Sequence, residues 1–503
     1  MYDEKYIGIT IGPIYDTISK TSSPAGLWLA SYMFSYISHR LCKLIVSKEL
    51  VINETQIMTP FYSEKESLLN KQDGVGLFHD RIIFRPNSEF MTMEKALEKV
   101  KRLLDEVTIE IADLFYESER EREKTREWFS QYLQLHAVVF QKKEEDNLIE
   151  SSIIPLNAIE LEKSFPTVQI PDPMNAMFES LEKNHLIRNI RDSMGIKKWP
   201  ISKNNESHNF PTIEEIIGLE NDNKNENNIS LKAKSYYAII QADGDNMTSL
   251  LKQGKDVHAF SKDCLKFCSM AAKEVIENYG GMTIYAGGDD LLMITPVILA
   301  DGSENILNLL CSINKVFNKI FNKEIASNEG VPTISFGVSI RYRKYPLYEA
   351  FNETYDMLLR AKEKKNAAAI SLQKHSGTAI EFVIEDFKDS KITEKLLEMI
   401  KHHADEEILK SIPQKIGQFR SLFSFAIERD KEVIDNIFSN IFDEEIHKKF
   451  KGELDATEFL LNLICEKHKK NGQDSEDKIL SFIVALLRFI GFFSERGIGG
   501  ELP

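Results

Sequence analysis

Three features that this 503-residue chain lacks narrow its class. It has only five cysteines, and Cys264 and Cys268 lie four apart in a helical pattern without a second pair, so neither a zinc site nor a disulfide framework is predicted. It has no membrane-length apolar run, because the segment 482–493 is short and contains Arg488. Its acidic start, M-Y-D-E-K-Y, is unlike a signal peptide. We therefore expect a reduced, cytoplasmic protein with no membrane partner.

The chain also lacks an excess of basic residues, since its formal net charge is −15. A protein that binds nucleic acid by itself normally carries a basic surface that neutralises phosphates. We therefore expect RNA contact only through local patches or through basic partner subunits. The length allows two to four domains with ample core.

Two apolar runs that end in carboxylates are the most informative feature that is present. Residues 236–247 read Y-Y-A-I-I-Q-A-D-G-D-N-M, and residues 285–294 read Y-A-G-G-D-D-L-L-M-I. The first is typical of a strand buried on both faces, and the second predicts a hairpin with a glycine turn. Two-metal nucleotidyl transfer needs carboxylates from neighbouring strands to hold two divalent cations. The paired runs predict that arrangement.

Each acidic residue has an expected role in this site. Asp243 is the candidate ligand shared by both metals, with the Gly244 carbonyl as a backbone ligand. Asp289 is the opposing carboxylate, and Asp290 is a further ligand or an orienting group. We therefore predict that Asp243, Asp289 and Asp290 are catalytic and that the metals are two Mg²⁺ or Mn²⁺ ions.

A second set of residues is expected to contact a nucleoside triphosphate. The Gly-Gly turn lets a triphosphate approach the backbone closely. Asp245 and Asn246, at the start of the next helix, are expected either to cap that helix or to touch the substrate. Lys362 and Lys365 are three residues apart and share a helix face, where they either reach the phosphates or interact with the helix dipole. The candidates are Gly287, Gly288, Asp245, Asn246, Lys362 and Lys365.

The order of the periodic segments predicts the same β-α-β-β-α-β unit twice. The first copy is expected at 6–11, 24–45, 55–61, 77–84, 91–127 and 133–141, and the second at 236–242, 257–278, 282–286, 291–296, 306–321 and 333–341. The fold class is therefore α+β, with two ferredoxin-like palm domains of which the second is GGDEF/cyclase-like. The first-copy hairpin turn, placed at 73–76, has no paired carboxylate, so only the second palm is expected to be catalytic.

The remaining segments complete the expected domain organisation. Proline-rich residues 142–233 are expected to form an inserted helical or linker domain, with a flexible Asn-rich loop at 221–228. From about residue 380 the pattern is helical throughout. The predicted boundaries are 1–141, 142–233, 234–377 and 378–503. The His79-Asp80 pair lies in a strand-like segment without the helical spacing of a metallophosphohydrolase, so we expect it to be structural.

Four stretches resemble the large, polymerase-like subunit of type III CRISPR effector complexes, in particular its Cmr-type (III-B) branch. They are I-G-P-I-Y-D-T-I and L-W-L-A-S-Y-M-F-S-Y within 11–36, G-V-G-L-F-H-D-R-I-I-F at 74–84, Q-A-D-G-D-N-M at 241–247 and Y-A-G-G-D-D at 285–290. The last two are specific in combination, and the first two separate the chain from diguanylate cyclases. The resemblance covers roughly the first 375 residues.

The resemblance implies an enzyme that converts ATP to cyclic oligoadenylate second messengers when its complex pairs a guide crRNA with target RNA. Two ATP molecules would lie between the palms, and the second palm would supply the metals. The implied partners are the other Cmr-type subunits and the two RNAs.

Two departures from the family pattern change what is expected. The first palm strand begins at Tyr6, so no His-Asp nuclease domain and no independent DNA cleavage are expected. Residues 142–233 contain no cysteine, so the family's four-cysteine zinc site is not expected either. Three alternatives stay open: conjugation of adenylate to S-adenosylmethionine by the same palm, a stand-alone GTP cyclase, and a catalytically idle scaffold.

Overall fold

The computed structural model describes most of the chain. The described residues are 5–64, 74–87, 92–115, 120–143, 147–162, 165–167, 210–218, 230–252, 254, 256–299, 301–322, 330–374, 377–402, 405–429, 431–442, 449–471 and 475–497. Much of the expected inserted domain, including the Asn-rich stretch 221–228, lies outside them. The four domain boundaries stay a prediction.

The first palm is a four-stranded antiparallel sheet with the strand order β2-β3-β1-β4. Its strands are β1 (Lys5–Gly12), β2 (Ile57–Thr59), β3 (Arg81–Phe84) and β4 (Gln134–Gln141). Its helices are α1 (Ile14–Ile18), α2 (Pro24–Ser47), α3 (Met93–Ala112) and α4 (Arg122–Tyr132), and α5 (Leu148–Ile159) follows β4. This order is that of a ferredoxin-like fold, so the predicted architecture is confirmed.

Several first-palm elements are shorter than predicted. The strand expected at 55–61 begins with a 3₁₀ turn and ends at Thr59, because Pro60 has no N–H for the ladder. The single helix expected at 91–127 is two helices, α3 and α4. Asp113, just after α3, accepts hydrogen bonds from Arg122 and Arg126 of α4. The hydrogen bond from Arg126 is the main cause that lowers the pKa of Asp113 to about 2, against burial, so this ion pair holds the two helices together.

The second palm repeats the same order within a larger sheet, β11-β10-β9-β6-β8-β7. Its strands are β6 (Tyr236–Asp245), β7 (Met282–Gly287), β8 (Asp290–Pro296), β9 (Thr333–Tyr342), β10 (Ala368–Leu372) and β11 (Ile380–Ile384), and a short β5 (Ser230–Leu231) precedes them. Its helices are α7 (Thr248–Lys252), α8 (Val257–Tyr279), α9 (Ile306–Phe321) and α10 (Leu347–Lys364), and α6 (Ile213–Ile216) lies upstream. The expectation of a helical chain from residue 380 is wrong at β11, which pairs with β10.

The C-terminal region is helical after β11, as predicted. It contains α11 (Lys391–Lys401), α12 (Glu406–Gln418), α13 (Arg420–Glu428), α14 (Lys431–Ile441), α15 (Lys451–Asn471) and α16 (Glu476–Ser494), then β12 (Arg496–Gly497), which pairs with β5. The ring of Phe492 on α16 packs edge-on against Tyr236 at the start of β6, 4.9 Å between centroids. The helices therefore rest directly on the second palm. Within the described ranges, no helix combines the length and apolarity needed to cross a bilayer.

The two palms pack against each other reciprocally. Helix α2 of the first palm lies on β7 of the second, where the Ser31 hydroxyl donates to the Ile284 carbonyl (3.0 Å). Helix α8 of the second palm lies on β2 of the first, where Ser261 approaches Thr59 (3.3 Å). Gly76 adds to the edge of the second sheet by accepting from the Ala286 N–H (3.1 Å). This near-twofold arrangement fixes the faces that enclose the candidate site.

Candidate active site

A cavity of about 520 Å³ lies between the two palms. The ends of β1 and β4, Asp80 ahead of β3 and Glu160 after α5 form its first-palm wall. The end of β6, the β7–β8 hairpin and α10 form its second-palm wall. A cleft of this size at a domain interface can enclose a nucleotide-sized ligand.

Strand β6 brings Asp243 to this cavity. The residues from Tyr236 to Ala242 are all buried, and β6 pairs with β8 on one edge and β9 on the other. A one-residue slip would turn this apolar set to the wrong face, so the register is strongly fixed. Asp243 is the first residue of the strand that is partly accessible, and it lines the cavity.

The β7–β8 hairpin brings Asp289 and Asp290 to the same place. Gly288 has a φ of +71°, a conformation that suits glycine, and its carbonyl accepts from the Cys268 thiol of α8 (3.2 Å). A Cβ atom at Gly244 would lie 2.7 Å from Asp289 Oδ2. The absence of a side chain at Gly244 therefore gives the Asp289 carboxylate space beside the end of β6. As a result, the three aspartates that were predicted to be catalytic lie close together.

Burial raises the pKa of all three acids, and the charges of neighbouring aspartates add to the rise at Asp289 and Asp290. Burial raises the pKa of Asp243, an effect that Lys362 opposes. Burial and then the charge of Asp243 raise the pKa of Asp289 to about 7. Burial, Asp289 and Asp243 raise the pKa of Asp290 well above its usual value, although Asp290 is exposed to the cavity. The three acids therefore release their protons less readily than free aspartates do.

Lys362 on α10 is bound to the end of β6. Its ammonium donates to the Gly244 carbonyl (2.7 Å) and lies 3.0 Å from Asp243 Oδ2 and 3.1 Å from Asp245 Oδ1. Burial lowers the pKa of Lys362, but Asp243 and Asp245 outweigh burial and raise it. The lysine is thus a charged group at the site, and it contacts the carbonyl that was expected to bind metal. Its predicted contact with a triphosphate stays a prediction.

Asp245 does not occupy the position that was expected for a helix cap or a substrate contact. It is the last residue of β6, and its side chain is 1% exposed. Its Oδ2 accepts from the hydroxyls of Thr333 (2.9 Å) and Ser335 (2.8 Å) and from the Asn366 N–H (2.9 Å). Asp245 therefore holds β6, β9 and the turn after α10 together. The error arose because β6 continues three residues beyond its apolar run.

The other candidate substrate-binding residues surround this point. Asn246 has a φ of +55° and accepts from the Lys365 ammonium (2.9 Å). Gly287 ends β7 opposite Asp290, and a Cβ there would meet the Tyr285 hydroxyl. Gly288 forms the hairpin turn. Their contact with a triphosphate stays a prediction.

The side chains at this site do not by themselves provide a complete set of ligands for a divalent cation. Among the described residues, no three His, Cys, Asp or Glu side chains converge to hold one ion. Mg²⁺ is usually bound by one or two carboxylates and completed by waters and substrate phosphates, so such a cluster is not required. Carboxylates of raised pKa facing a cavity are the donor set that such an ion would neutralise. Binding of Mg²⁺ or Mn²⁺ by Asp243, Asp289 and Asp290 together with a nucleotide stays a prediction.

The first palm contributes acids that the sequence analysis missed. Asp80 and Glu160 both line the cavity, and the charge of Asp80 helps to raise the pKa of Asp290. Glu160 accepts from Thr10 (2.6 Å) and Arg81 (2.9 Å). Asp80 immediately precedes β3 just as Asp289 immediately precedes β8. Alignment of the two copies on these strand starts would have found it.

The structure bears on two further first-palm expectations, of which one changes. His79 is structural as expected: its Nδ1 accepts from the Arg81 N–H (3.3 Å), which leaves Nε2 to donate to Thr59 (2.7 Å). Burial lowers the pKa of His79 to about 4. The turn placed at 73–76 is wrong for its described part, because Gly76 instead forms a parallel bridge with Tyr285 of the second palm. Asp73 lies outside the described residues.

Comparison with known families gives the class of the two palms. Residues 236–370 match the family "Cas10/Cmr2, second palm domain", and residues 6–113 match "CRISPR-associated protein Cmr2, N-terminal". Two regions of the chain are thus similar to two domains of Cas10/Cmr2 proteins, the second palm and the N-terminal domain.

Individual relatives show the same similarity. The CRISPR system Cmr subunit Cmr2 of Pyrococcus furiosus is 30% identical over 199 residues, which cover 32% of this chain and 22% of the relative. The type III-B Cmr-beta complex bound to cognate target RNA contains a chain with a TM-score of 0.55 at 12% identity, covering 83% of this chain and 77% of that one. A Csm1–Csm4 cassette in complex with cA4 gives 0.54 at 12% identity, covering 98% and 70%. Csm1 of T. onnurineus gives 0.54 at 13%, with the same coverage. At these identities the solved structures show the fold alone.

Proposed function

We propose that this chain is the target-RNA-activated nucleotidyltransferase of a type III CRISPR complex and converts ATP to cyclic oligoadenylates in the cytoplasm. The observation that carries the proposal is that Asp243 and Asp290 line a cavity enclosed by two palms, with Asp289 beside Gly244 at the end of β6. Similar folds occur in Csm1–Csm4 cassettes in complex with ATP and with cA4, which supports a nucleotide ligand.

The residues have distinct parts in this reaction. Two bound divalent ions would lower the pKa of the attacking hydroxyl and stabilise charge on the phosphoryl oxygens. Asp243 and Asp289 would hold them from opposite sides, with Asp290 as a ligand or orienting group. The ammonium of Lys362 would move from the Gly244 carbonyl to a phosphate. The palms enclose the reacting groups, which limits hydrolysis by water.

The acidity of the chain supports its proposed partners. A net charge of −15 does not suit a free RNA-binding protein, so we infer that other Cmr-type subunits hold the guide crRNA and target RNA. The similar chain of the Cmr-beta complex belongs to an assembly that is bound to cognate target RNA.

The activity test uses the assembled complex with cognate target RNA, ATP and Mg²⁺ or Mn²⁺. Wild type should yield oligoadenylates, and Asp289→Ala with Asp290→Ala should lower the rate at least about 100-fold because the metal ligands are lost. Asp105→Ala, an exposed acid on α3, is the matched control and should leave the rate unchanged. Equal product from the double variant would exclude the proposed site. Absence of product from wild type, together with no metal-dependent ATP binding in calorimetry, would favour an idle scaffold.

One observation favours conjugation to S-adenosylmethionine as a second candidate. The described residues that line the cavity include Asp80 and Glu160 but no lysine or arginine. A second triphosphate would meet this acidic wall with like charge, whereas S-adenosylmethionine brings an ammonium and a sulfonium. Mass spectra of products made from ATP with and without S-adenosylmethionine separate the candidates. If the conjugate is made, Asp80→Asn should weaken it more than it weakens any oligoadenylate product.

A further inference from the structure

Strained backbone is concentrated beside the catalytic strand. The described residues include five non-glycine residues with positive φ, and four of them lie at one place: Asn246 (55°), Lys365 (57°), Asn366 (45°) and Asp386 (53°). Such conformations are uncommon outside glycine and persist only where the surroundings hold them. We call residues 245–246, 365–366 and 385–388 the junction.

One side of the junction is bound to the active site. The Asn366 N–H donates to Asp245 Oδ2 (2.9 Å), and the Lys365 ammonium donates to Asn246 (2.9 Å). The turn after α10 is thereby tied to the end of β6. Because α10 also carries Lys362, the same turn sets where that ammonium lies relative to Asp243.

The other side of the junction is bound to the C-terminal helices. The Asn366 carbonyl accepts from the Phe387 N–H (2.7 Å), and its side-chain oxygen accepts from the Lys388 N–H (3.0 Å). Lys467 of α15 pairs with Asp386 (2.8 Å) and lies 3.6 Å from Glu385. Asn366 therefore stands between helix α15 and the catalytic strand.

We propose that Asn366 is a positioning residue through which the C-terminal helical region controls the active site. Movement of α15 would draw residues 385–388 away from Asn366. The strained turn would then relax, Asp245 would lose a donor, and Lys362 would shift from Asp243 and Gly244. The predicted effect on catalysis rests on the proposed function. The hydrogen-bonded path from α15 to β6 is independent of the proposed function.

The first test breaks the centre of the path. Asn366→Ala removes the side-chain bond to Lys388 and favours loss of the left-handed turn, whereas Asn366→Asp keeps an oxygen acceptor and a residue type that tolerates this conformation. In the activated complex, Asn366→Ala should lower kcat about tenfold, within the usual range of coupling, and leave KM for ATP nearly unchanged. Asn366→Asp should restore most of the rate.

The second test breaks the far end, away from the cavity. Lys467→Met removes the pairs to Asp386 and Glu385, and Lys467→Arg retains them. Arg420→Met is the matched control, because it breaks an ion pair to Asp477 (2.7 Å) within the same helical region but outside the path. Lys467→Met should speed amide hydrogen exchange in peptides covering 243–250 and 362–370 at least about threefold, through more frequent local opening, whereas the other two should match wild type.

The exchange measurement separates this inference from the proposed activity. If the wild-type complex makes no product, the proposed function fails, and exchange still decides whether α15 is coupled to β6. Equal exchange in Lys467→Met and Arg420→Met would overturn the inference. So would an Asn366→Ala variant with wild-type kcat, or one whose loss lies wholly in KM.

Discussion

Asp289 shows how the environment of a single carboxyl sets the behaviour of the site. Burial and the neighbouring Asp243 raise its pKa from 3.8 to about 7. The sequence predicted the place of Asp289 beside the end of β6, because a Gly-Gly-Asp-Asp hairpin beside an apolar strand end is a local pattern; its catalytic role stays a prediction. Asp80 was expected to be structural, because its local pattern is that of an ordinary strand and only the match of the two strand starts distinguishes it.

The raised pKa gives a pH-dependent stability without divalent cations. The folded protein binds the Asp289 proton more tightly than the unfolded chain does, so this contribution is most favourable below pH 3.8 and is lost as the pH rises towards 7. Asp289→Asn should therefore raise the free energy of unfolding at pH 8 by roughly 1–3 kcal/mol after allowing for solvent, and so raise Tm there, and it should have little effect at pH 4. Thermal unfolding in EDTA measures this, and an equal Tm change at both pH values would contradict it.

Gly244 is required by the space that Asp289 occupies. A Cβ there would lie 2.7 Å from Asp289 Oδ2 and 2.7 Å from Met247 Cγ. Gly244→Ala should displace the carboxylate and lower kcat about 100-fold, as a misplacement of about 1 Å commonly does. Gly417→Ala is the control, because no atom lies within 4 Å of its added Cβ. An active Gly244→Ala enzyme would show that Asp289 need not stay in its observed place.

At the level of elements, periodicity located the strands and helices of both palms but not all of their ends. Strand β6 continues to Asp245 because it pairs with β9 as far as Thr333, and the apolar pattern ends before that. Strand β11 has only five residues in a largely helical region, so its alternation was hidden. Such features depend on partner strands, which the local sequence does not specify.

The packing of α10 on β9 offers a test at this level. A Cβ at Gly337 would collide with the backbone of Thr354 and Leu358, which cannot move as a flexible side chain can. Gly337→Ala should therefore destabilise the protein by about 1–3 kcal/mol or more, through overpacking. It should also lower activity, since α10 carries Lys362. Chemical unfolding measures the first effect, with Gly417→Ala again as control; unchanged stability would mean that α10 can move away without cost.

At the level of the whole molecule, the two palms form one site because each covers the other. The repeat of the β-α-β-β-α-β order was predictable from sequence. The reciprocal packing of α2 on β7 and α8 on β2 was not, because surface complementarity leaves no periodic signal. The insertion of Gly76 beside Tyr285 is an example, since sequence reasoning placed that segment in a turn.

Gly76 provides a test of palm docking. A Cβ there would lie 2.8 Å from Ser35 Cβ on α2, so Gly76→Ala should push this segment from the β7 edge. We expect a loss of about 1–3 kcal/mol from overpacking and faster proteolysis between the palms. Gly452→Ala, with no atom within 4 Å of the added Cβ, is the control. If Gly76→Ala resists proteolysis as well as the wild type does, the interface between the palms is not tightly packed at this position.

The placement of Asp80 on one palm and Asp290 on the other has a mechanical consequence. The charge of Asp80 adds to the rise in the pKa of Asp290, so repulsion across the interface between the palms resists removal of the Asp290 proton while no cation is present. Divalent ions entering with the nucleotide would favour the charged form of Asp290 and draw the two palms together. The interface between the palms would then close tightly only when the cations and the nucleotide have bound.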